Sequence, residues 1–559
     1  MTATVEDVVH PAPQDPSADD AARDDAADHT AVSAPPRQAR PIPAALAPWH
    51  DPRPWTGWLT LAALTVLSAL TRFWSLGFPH QKIFDEAYYP IEAQELLRFG
   101  YEDNRGYMFI VHPPLGKWLI GVGEWWQGVV SHNHTAQGYL DNSLGWRTVP
   151  AIFGCLTVII VARTARRLTR SNLFGAVAGL LIALDGMSLV LSRTALLDVF
   201  LEFFVTAAFA ALVIDRDKMR ARLAGLIADG ADLSGGVPSL GPRPWRLLAG
   251  VLWGLACAVK WTALSFFVLF VILSWVWDRN AFRAAGVRRT WRATGRRSFL
   301  PGLGSLVLAP IGAYLMTYLG WFAGENGYWR HWADAHSAST HLHKFGISIP
   351  WTWAWVPAPI RSLGAYTLQA YDFHEGLDSG HVYQSSPWSW LVLGRPVDFY
   401  YDSASTQCGS SSCSREILLL GTPLLWWAIV PMLLWLAWHW FSTHDWRAGA
   451  IWVAFAAGWL VWFQDLKRTM FLFYMAPLMP FLIYGITLAL GTMLGPALRR
   501  TGDRFRDHRA WVRRRLGVAG LSVFLALVVV DFAWMWPIFT GALRTYAQWH
   551  AHMWLTSWV

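Results

Sequence analysis

Nine windows of mainly apolar residues, near 56–75, 147–163, 172–190, 196–214, 299–320, 416–438, 448–463, 471–493 and 516–536, constrain this chain more than any motif in it. A bilayer core takes about 20 such residues as one helix, so each window predicts a span. A tenth stretch, Trp245 to Trp277, is too long for one helix: it would measure roughly 50 Å against a hydrocarbon core of about 30 Å. It reads better as a hairpin of two short helices turning near Lys260. The expected fold class is therefore all-α, a polytopic membrane protein with about eleven spans. Charged residues make up 15% of the chain, well under the roughly 25% of soluble proteins.

The charges that remain test the hairpin. Lys and Arg collect in cytoplasmic loops, and clusters lie at Arg163-Arg166-Arg167-Arg170, at Arg216-Lys218-Arg220-Arg222, from Arg279 to Arg297 and from Arg499 to Arg515. All four fall on one side, with the N-terminus, only if the hairpin counts as two spans. The net charge of +8 then reflects topology, and no nucleic-acid partner is expected. Residues 1–54 read as a disordered cytoplasmic tail: the first forty hold eight Asp or Glu and three Arg, with no apolar run fit for a signal peptide. The other face receives a loop from about 76 to 146, a turn near Asp185 to Asp198, the hinge at Lys260 and a long loop from about 321 to 415. Cys408 and Cys413 share that long loop, where a disulfide and two free thiols are both open.

In the first of these loops, "IFDEAYYP" sets Asp85 and Glu86 side by side among aromatics. Tyr89, Ala93, Leu96 and Leu97 then share one helical face, the pattern of a helix lying on a membrane. In "VHPPLGKWLIG", Pro114 falls near a first helical turn, so Lys117 and free N–H groups could face an anion. Arg147, Arg193, Asp198, Lys260, Lys467 and Arg468 add charge near span ends. A single Arg there usually snorkels to the interface; two carboxylates and several cations at one level point to function. A carboxylate in a partly dry pocket can take a proton from a hydroxyl, and cations can hold a phosphate as it leaves. That set suits transfer of a sugar from a lipid phosphate. The histidines of the long loop, His331, His336, His341, His343, His374 and His381, match no common metal-site spacing and read as solvent or interface residues.

"FDEAYYPIEAQELLRFG", "VHPPLGKWLIG", "GWRTVPAIFG", "SRTALLD" and "VKWTAL" together closely resemble the protein O-mannosyltransferase family, membrane enzymes of the GT-C glycosyltransferase fold. "FHEGLDSGHVYQSSPWSWLVLGRPVDFYY" and "LLLGTPLLWW" resemble the family's later loop and span, so the likeness covers nearly all of 55–559. The resemblance implies inverting transfer of mannose from a polyprenyl monophosphate carrier to Ser or Thr of secreted proteins, without a required metal or other cofactor. It implies Asp85 as general base and Glu86 beside it holding acceptor or sugar. Arg147, Lys260, Arg193, Asp198 and Arg468 then lie near the donor, with His112 and Lys117 either touching ligand or folding the loop. Implied partners are the lipid-linked donor, membrane lipids, secreted Ser/Thr-rich proteins and the protein-export machinery, and the implied place is the plasma membrane with the site facing out. Eukaryotic relatives carry a β-trefoil MIR insertion that this long loop lacks, and "FLFYMAP" lacks their His pair. The Ala-, Arg- and Trp-rich style fits an actinobacterial-type member with a decaprenyl-type carrier. A related GT-C enzyme moving aminoarabinose onto a lipid is the alternative, and a transporter the alternative of another class.

Overall fold

The computed structural model describes residues 41–49, 53–103, 110–132, 141–336, 341–344, 347–350, 355–404, 407–495 and 504–559. Most of the expected tail, residues 1–40, lies outside them. Among the described residues eight helices are long and apolar enough to cross a membrane: Pro54–Phe73, Ser143–Thr169, Ala263–Ala284, Thr290–Met316, Pro423–Thr443, Trp446–Phe463, Leu472–Leu494 and Asp507–Thr540. A ninth is broken, Asn172–Ala183 meeting Gly186–Ser192 at 63°. The two other expected spans are also helical: Asp198–Ala228, charged over its second half, and the shorter Pro244–Val259.

The hairpin is present. Lys260 is extended (φ −147°, ψ 138°) between Val259 and the helix Ala263–Ala284. Its first arm packs closely on Thr290–Met316, because a Cβ on Gly250 or Gly254 would run into the carbonyl oxygens of Ser305 and Pro310. Small residues one turn apart allow such close approach in membranes.

The broken span has a polar cause. Asp185 caps the second piece by accepting from Ser188 N–H (2.9 Å) and also accepts from the Trp426 indole (2.7 Å). Thr422 donates its hydroxyl to the Leu184 carbonyl (2.6 Å) and accepts from Gly186 N–H (3.1 Å). The groups freed by the break are thus satisfied by side chains from a later segment, as a buried break requires.

One window needs correction. The stretch expected to span over 416–438 begins as a strand: β3 (Val397–Asp402) pairs antiparallel with β4 (Cys413–Leu419), Val397 opposite Leu419 and Tyr401 opposite Glu416. The helix cannot reach back because Pro423 is its first residue and holds Thr422 extended (ψ 113°). A two-residue strand β5 (Arg544–Thr545) joins β4, and a disulfide joins Cys408 to Cys413. Together with a small hairpin of β1 (His341–Lys344) and β2 (Ile347–Pro350), this is the β-structure the all-α expectation lacked.

Leu472–Leu494 is the central helix and is almost wholly buried. Thr290–Met316 instead leaves Leu300, Leu308, Ile311 and Met316 exposed, an apolar face suited to lipid. At one end of the bundle three basic clusters meet the chain's early segment. Arg166 lies over Trp49 (5.2 Å), Arg220 donates to the Ala45 carbonyl (2.8 Å), and Leu46 is buried with Met219, Leu223 and Val287. Residues 41–49, within the expected tail, thus pack on the helices.

Candidate active site

At the other end the chain leaves Pro54–Phe73 and forms a loop around Asp85 and Glu86. A run of backbone with few bonds of its own must find partners elsewhere, and two buried arginines supply them. Arg193, just after the broken span, donates to the carbonyls of Thr71, Arg72, Trp74 and Ser75. Arg147 donates to those of Leu76 (3.4 Å), Pro79 (2.8 Å) and Gln81 (3.1 Å). It also holds Glu86 with both ends of its fork, Nε to Oε1 at 2.8 Å and Nη2 to Oε2 at 2.6 Å. Ala195 N–H (2.9 Å) and Ile83 N–H (3.1 Å) take the remaining lone pairs of Glu86.

Both partners of that ion pair have 0% exposed side chain. Glu86, expected to hold acceptor or sugar, is thus buried with its carboxylate oxygens bonded within the chain. Arg147 uses all three of its nitrogens on the loop and Glu86, and Arg193 straps the loop through its two Nη groups.

Asp85 is different. It is partly exposed, and Tyr89 one turn on donates to its Oδ2 at 3.3 Å. Burial pushes its carboxyl up to about 6, with Asp198 and Glu92 adding repulsion while Lys260 and the Tyr89 hydroxyl oppose the rise. Phe84 presents it from a left-handed backbone (φ 49°), a conformation that persists in a bulky residue only when the surroundings enforce it. Here they do: the Phe84 ring stacks on Phe399 (4.8 Å) and meets Phe471, Phe473 and His381 edge-on.

The cations divide in the same way. Lys117 is fully buried between Glu92 (3.1 Å) and Glu102, so its ammonium is paired with carboxylates of its own chain. Lys260 pairs with Asp198 at 2.7 Å and lies over the Phe473 ring. Arg468 is half-buried against Trp462 and Tyr474. Its Nε donates to the His374 carbonyl (2.9 Å) and its Nη1 to the Tyr474 hydroxyl (3.2 Å). Its Nη2 makes no hydrogen bond among the described residues. The neighbouring Lys467 is exposed.

His112 stacks on His374 (4.8 Å). Burial lowers both imidazoles, His374 to about 4, and the surrounding Lys260, Lys117 and Arg468 lower them further, so both are neutral near pH 7. His374 was read as an interface residue, and Tyr89 only as part of a helix face. The four-residue spacing from Asp85 to Tyr89 was the available signal for the second.

The site thus joins one free carboxylate, two cations and two neutral imidazoles. Residues 62–319 match the family described as dolichyl-phosphate-mannose-protein mannosyltransferase, and residues 360–558 match the C-terminal four-span region of protein-O-mannosyltransferase. The chain belongs to the protein O-mannosyltransferase family. The polyprenol-phosphate-mannose–protein mannosyltransferase of Mycobacterium tuberculosis (strain H37Rv) is 40% identical over 512 residues, 90% of this chain and 92% of that protein. That of Mycolicibacterium smegmatis (strain mc(2)155) is 41% identical over 514 residues, 90% and 93%. The S. cerevisiae protein O-mannosyltransferase Pmt1-Pmt2 complex bound to the sugar donor shares the fold, with TM-score 0.68 at 17% identity over 90% of this chain and 93% of that one. In this protein O-mannosyltransferase the two acids of the DE pair have unlike surroundings.

Proposed function

We propose that the chain transfers mannose, with inversion, from a polyprenyl monophosphate mannose to Ser or Thr hydroxyls of proteins. The observation that carries this reading is the contrast within the DE pair: Glu86 has its acceptor sites filled, while Asp85 is open and stands by Lys260. Asp85 takes the hydroxyl proton as the oxygen attacks the anomeric carbon on the face opposite the phosphate. The bond from that carbon to the phosphate oxygen breaks, and the polyprenyl phosphate leaves with the electron pair. The donor phosphate is a diester carrying one charge, and it gains negative charge as it leaves. Lys260 and Arg468 therefore stabilise the transition state more than the bound donor. The proton on Asp85 passes to water.

Membranes containing the chain, given radiolabelled polyprenyl-phosphate mannose and a Ser/Thr-containing peptide, are expected to place label on the peptide. Label found only on lipid would overturn the reading in favour of a lipid acceptor. A base whose carboxyl is held at about 6 must be ionised to act, so kcat/KM should fall as pH drops through about 6, with an acid limb of unit slope. An acid limb near 4 would show that the base is an ordinary solvated carboxyl.

The same reading sets the orientation: the site faces outward from the plasma membrane, where acceptors leave the export machinery, and the basic end faces the cytoplasm. A cysteine at Ser379 should then react with an impermeant maleimide on intact cells, and one at Asp229 only after lysis. Labelling of Asp229→Cys on intact cells would reverse the map.

A further inference from the structure

Between the helix Ala358–Glu375 and β3 the chain forms an arch from Leu377 to Ser385. Its feet are clipped to the segment just after Arg468: Thr469 N–H donates to the Leu377 carbonyl and Ser385 N–H to the Met470 carbonyl, both at 2.8 Å. Gly380 (φ 71°) leads into the crown, where Gln384 N–H closes a turn onto the His381 carbonyl (2.9 Å). The His381 side chain is exposed, yet it is held. Its ring meets Phe471 edge-on at 5.2 Å and Phe84 at 6.1 Å, and Tyr383 tilts against it at 5.7 Å.

The hydrogen bonding sets its tautomer. Tyr383 N–H donates to Nδ1 (3.2 Å), so in the neutral ring the proton sits on Nε2. That N–H has no partner among the described residues. The aromatic contacts fix the ring and leave that N–H unused. A donor held at the rim of a site, one ring away from the residue preceding the base, is set for a ligand oxygen.

Two substrates meet at Asp85, and the surroundings separate them. Lys260 and Arg468 mark the side of the phosphate. On the His381 side the next residue, Val382, is 73% exposed, a surface suited to a polypeptide. An extended polypeptide offers a carbonyl at every residue. We propose that His381 is an acceptor-binding residue that donates its Nε2 proton to a backbone carbonyl of the acceptor, setting the Ser or Thr hydroxyl beside Asp85. This rests on the reading of the chain as a protein mannosyltransferase.

The test uses the purified full chain with saturating donor, varied acceptor peptide, and donor binding measured separately. His381→Phe keeps the ring packing and removes the donor. It is expected to raise the peptide KM about five- to tenfold, the loss of one neutral hydrogen bond. kcat at saturating peptide and donor Kd should stay within about threefold, and the melting temperature should hold. His381→Gln, whose amide nitrogen can stand in for Nε2, should recover most of the loss. A wild-type peptide KM in His381→Phe, or a change in donor Kd instead, overturns the proposal. If the wild type itself mannosylates no peptide, the broader reading fails first and takes this proposal with it.

Discussion

Asp85→Asn is expected to lower kcat by about 10²- to 10⁴-fold, the usual worth of a general base, while donor affinity stays within a few-fold. Asparagine keeps the size of the side chain and can still accept from Tyr89, so the loop should not move. What disappears is the basicity needed to take the hydroxyl proton, since an amide oxygen accepts hydrogen bonds but not protons near neutral pH. Glu86 cannot substitute, because its carboxylate is filled by Arg147, Ile83 and Ala195 and has no route to substrate. Lys260 loses a neighbouring negative charge in the variant, which if anything favours the donor phosphate. The measurement is single-turnover transfer by purified protein beside direct donor binding. Near wild-type turnover by Asp85→Asn would remove Asp85 from the chemistry, and a parallel collapse of donor binding would make it a ligand of the donor.

The hairpin at Lys260 and the amphipathic helix after the DE pair were legible because hydrophobic length and period are local signals. The set of charged residues was legible too, since charge near a membrane is rare and costly. What the sequence could not show was how those charges pair. Glu86 and Arg147 are 61 residues apart, and Arg193 reaches the Thr71 carbonyl across 122. A buried arginine must satisfy its donors somewhere, and whether it finds a phosphate or the backbone of its own chain depends on where the first loop folds. Lys117 illustrates the same point: one of its two acids, Glu92, lies outside the apolar face of Tyr89, Ala93, Leu96 and Leu97, and only the fold buries it. The strand β4 escaped notice because its short apolar run adjoins the apolar helix after Pro423, and periodicity cannot separate the two.

Arg147→Ala is the variant that separates a scaffold from a phosphate site. If Arg147 straps the loop, removing it leaves Glu86 as a buried charge without its ion-pair partner, and the carbonyls of Leu76, Pro79 and Gln81 lose a donor. Breaking a buried pair in this way costs about 3–5 kcal/mol, so the expected result is a lowered melting temperature in detergent and little transfer activity. Arg147→Lys should fall between, because one ammonium cannot serve both carboxylate oxygens and three carbonyls at once. Removing both charges is no remedy: Glu86→Leu would also strip the acceptor from Ile83 N–H and Ala195 N–H. Arg468→Ala is the control, since this side chain is half-buried and stacked on aromatics. It should weaken donor binding and slow turnover with a small change in melting. The reverse pattern, Arg147→Ala stable but blind to donor and Arg468→Ala unaffected, would return the phosphate to Arg147 and mean that the loop opens around it when donor binds.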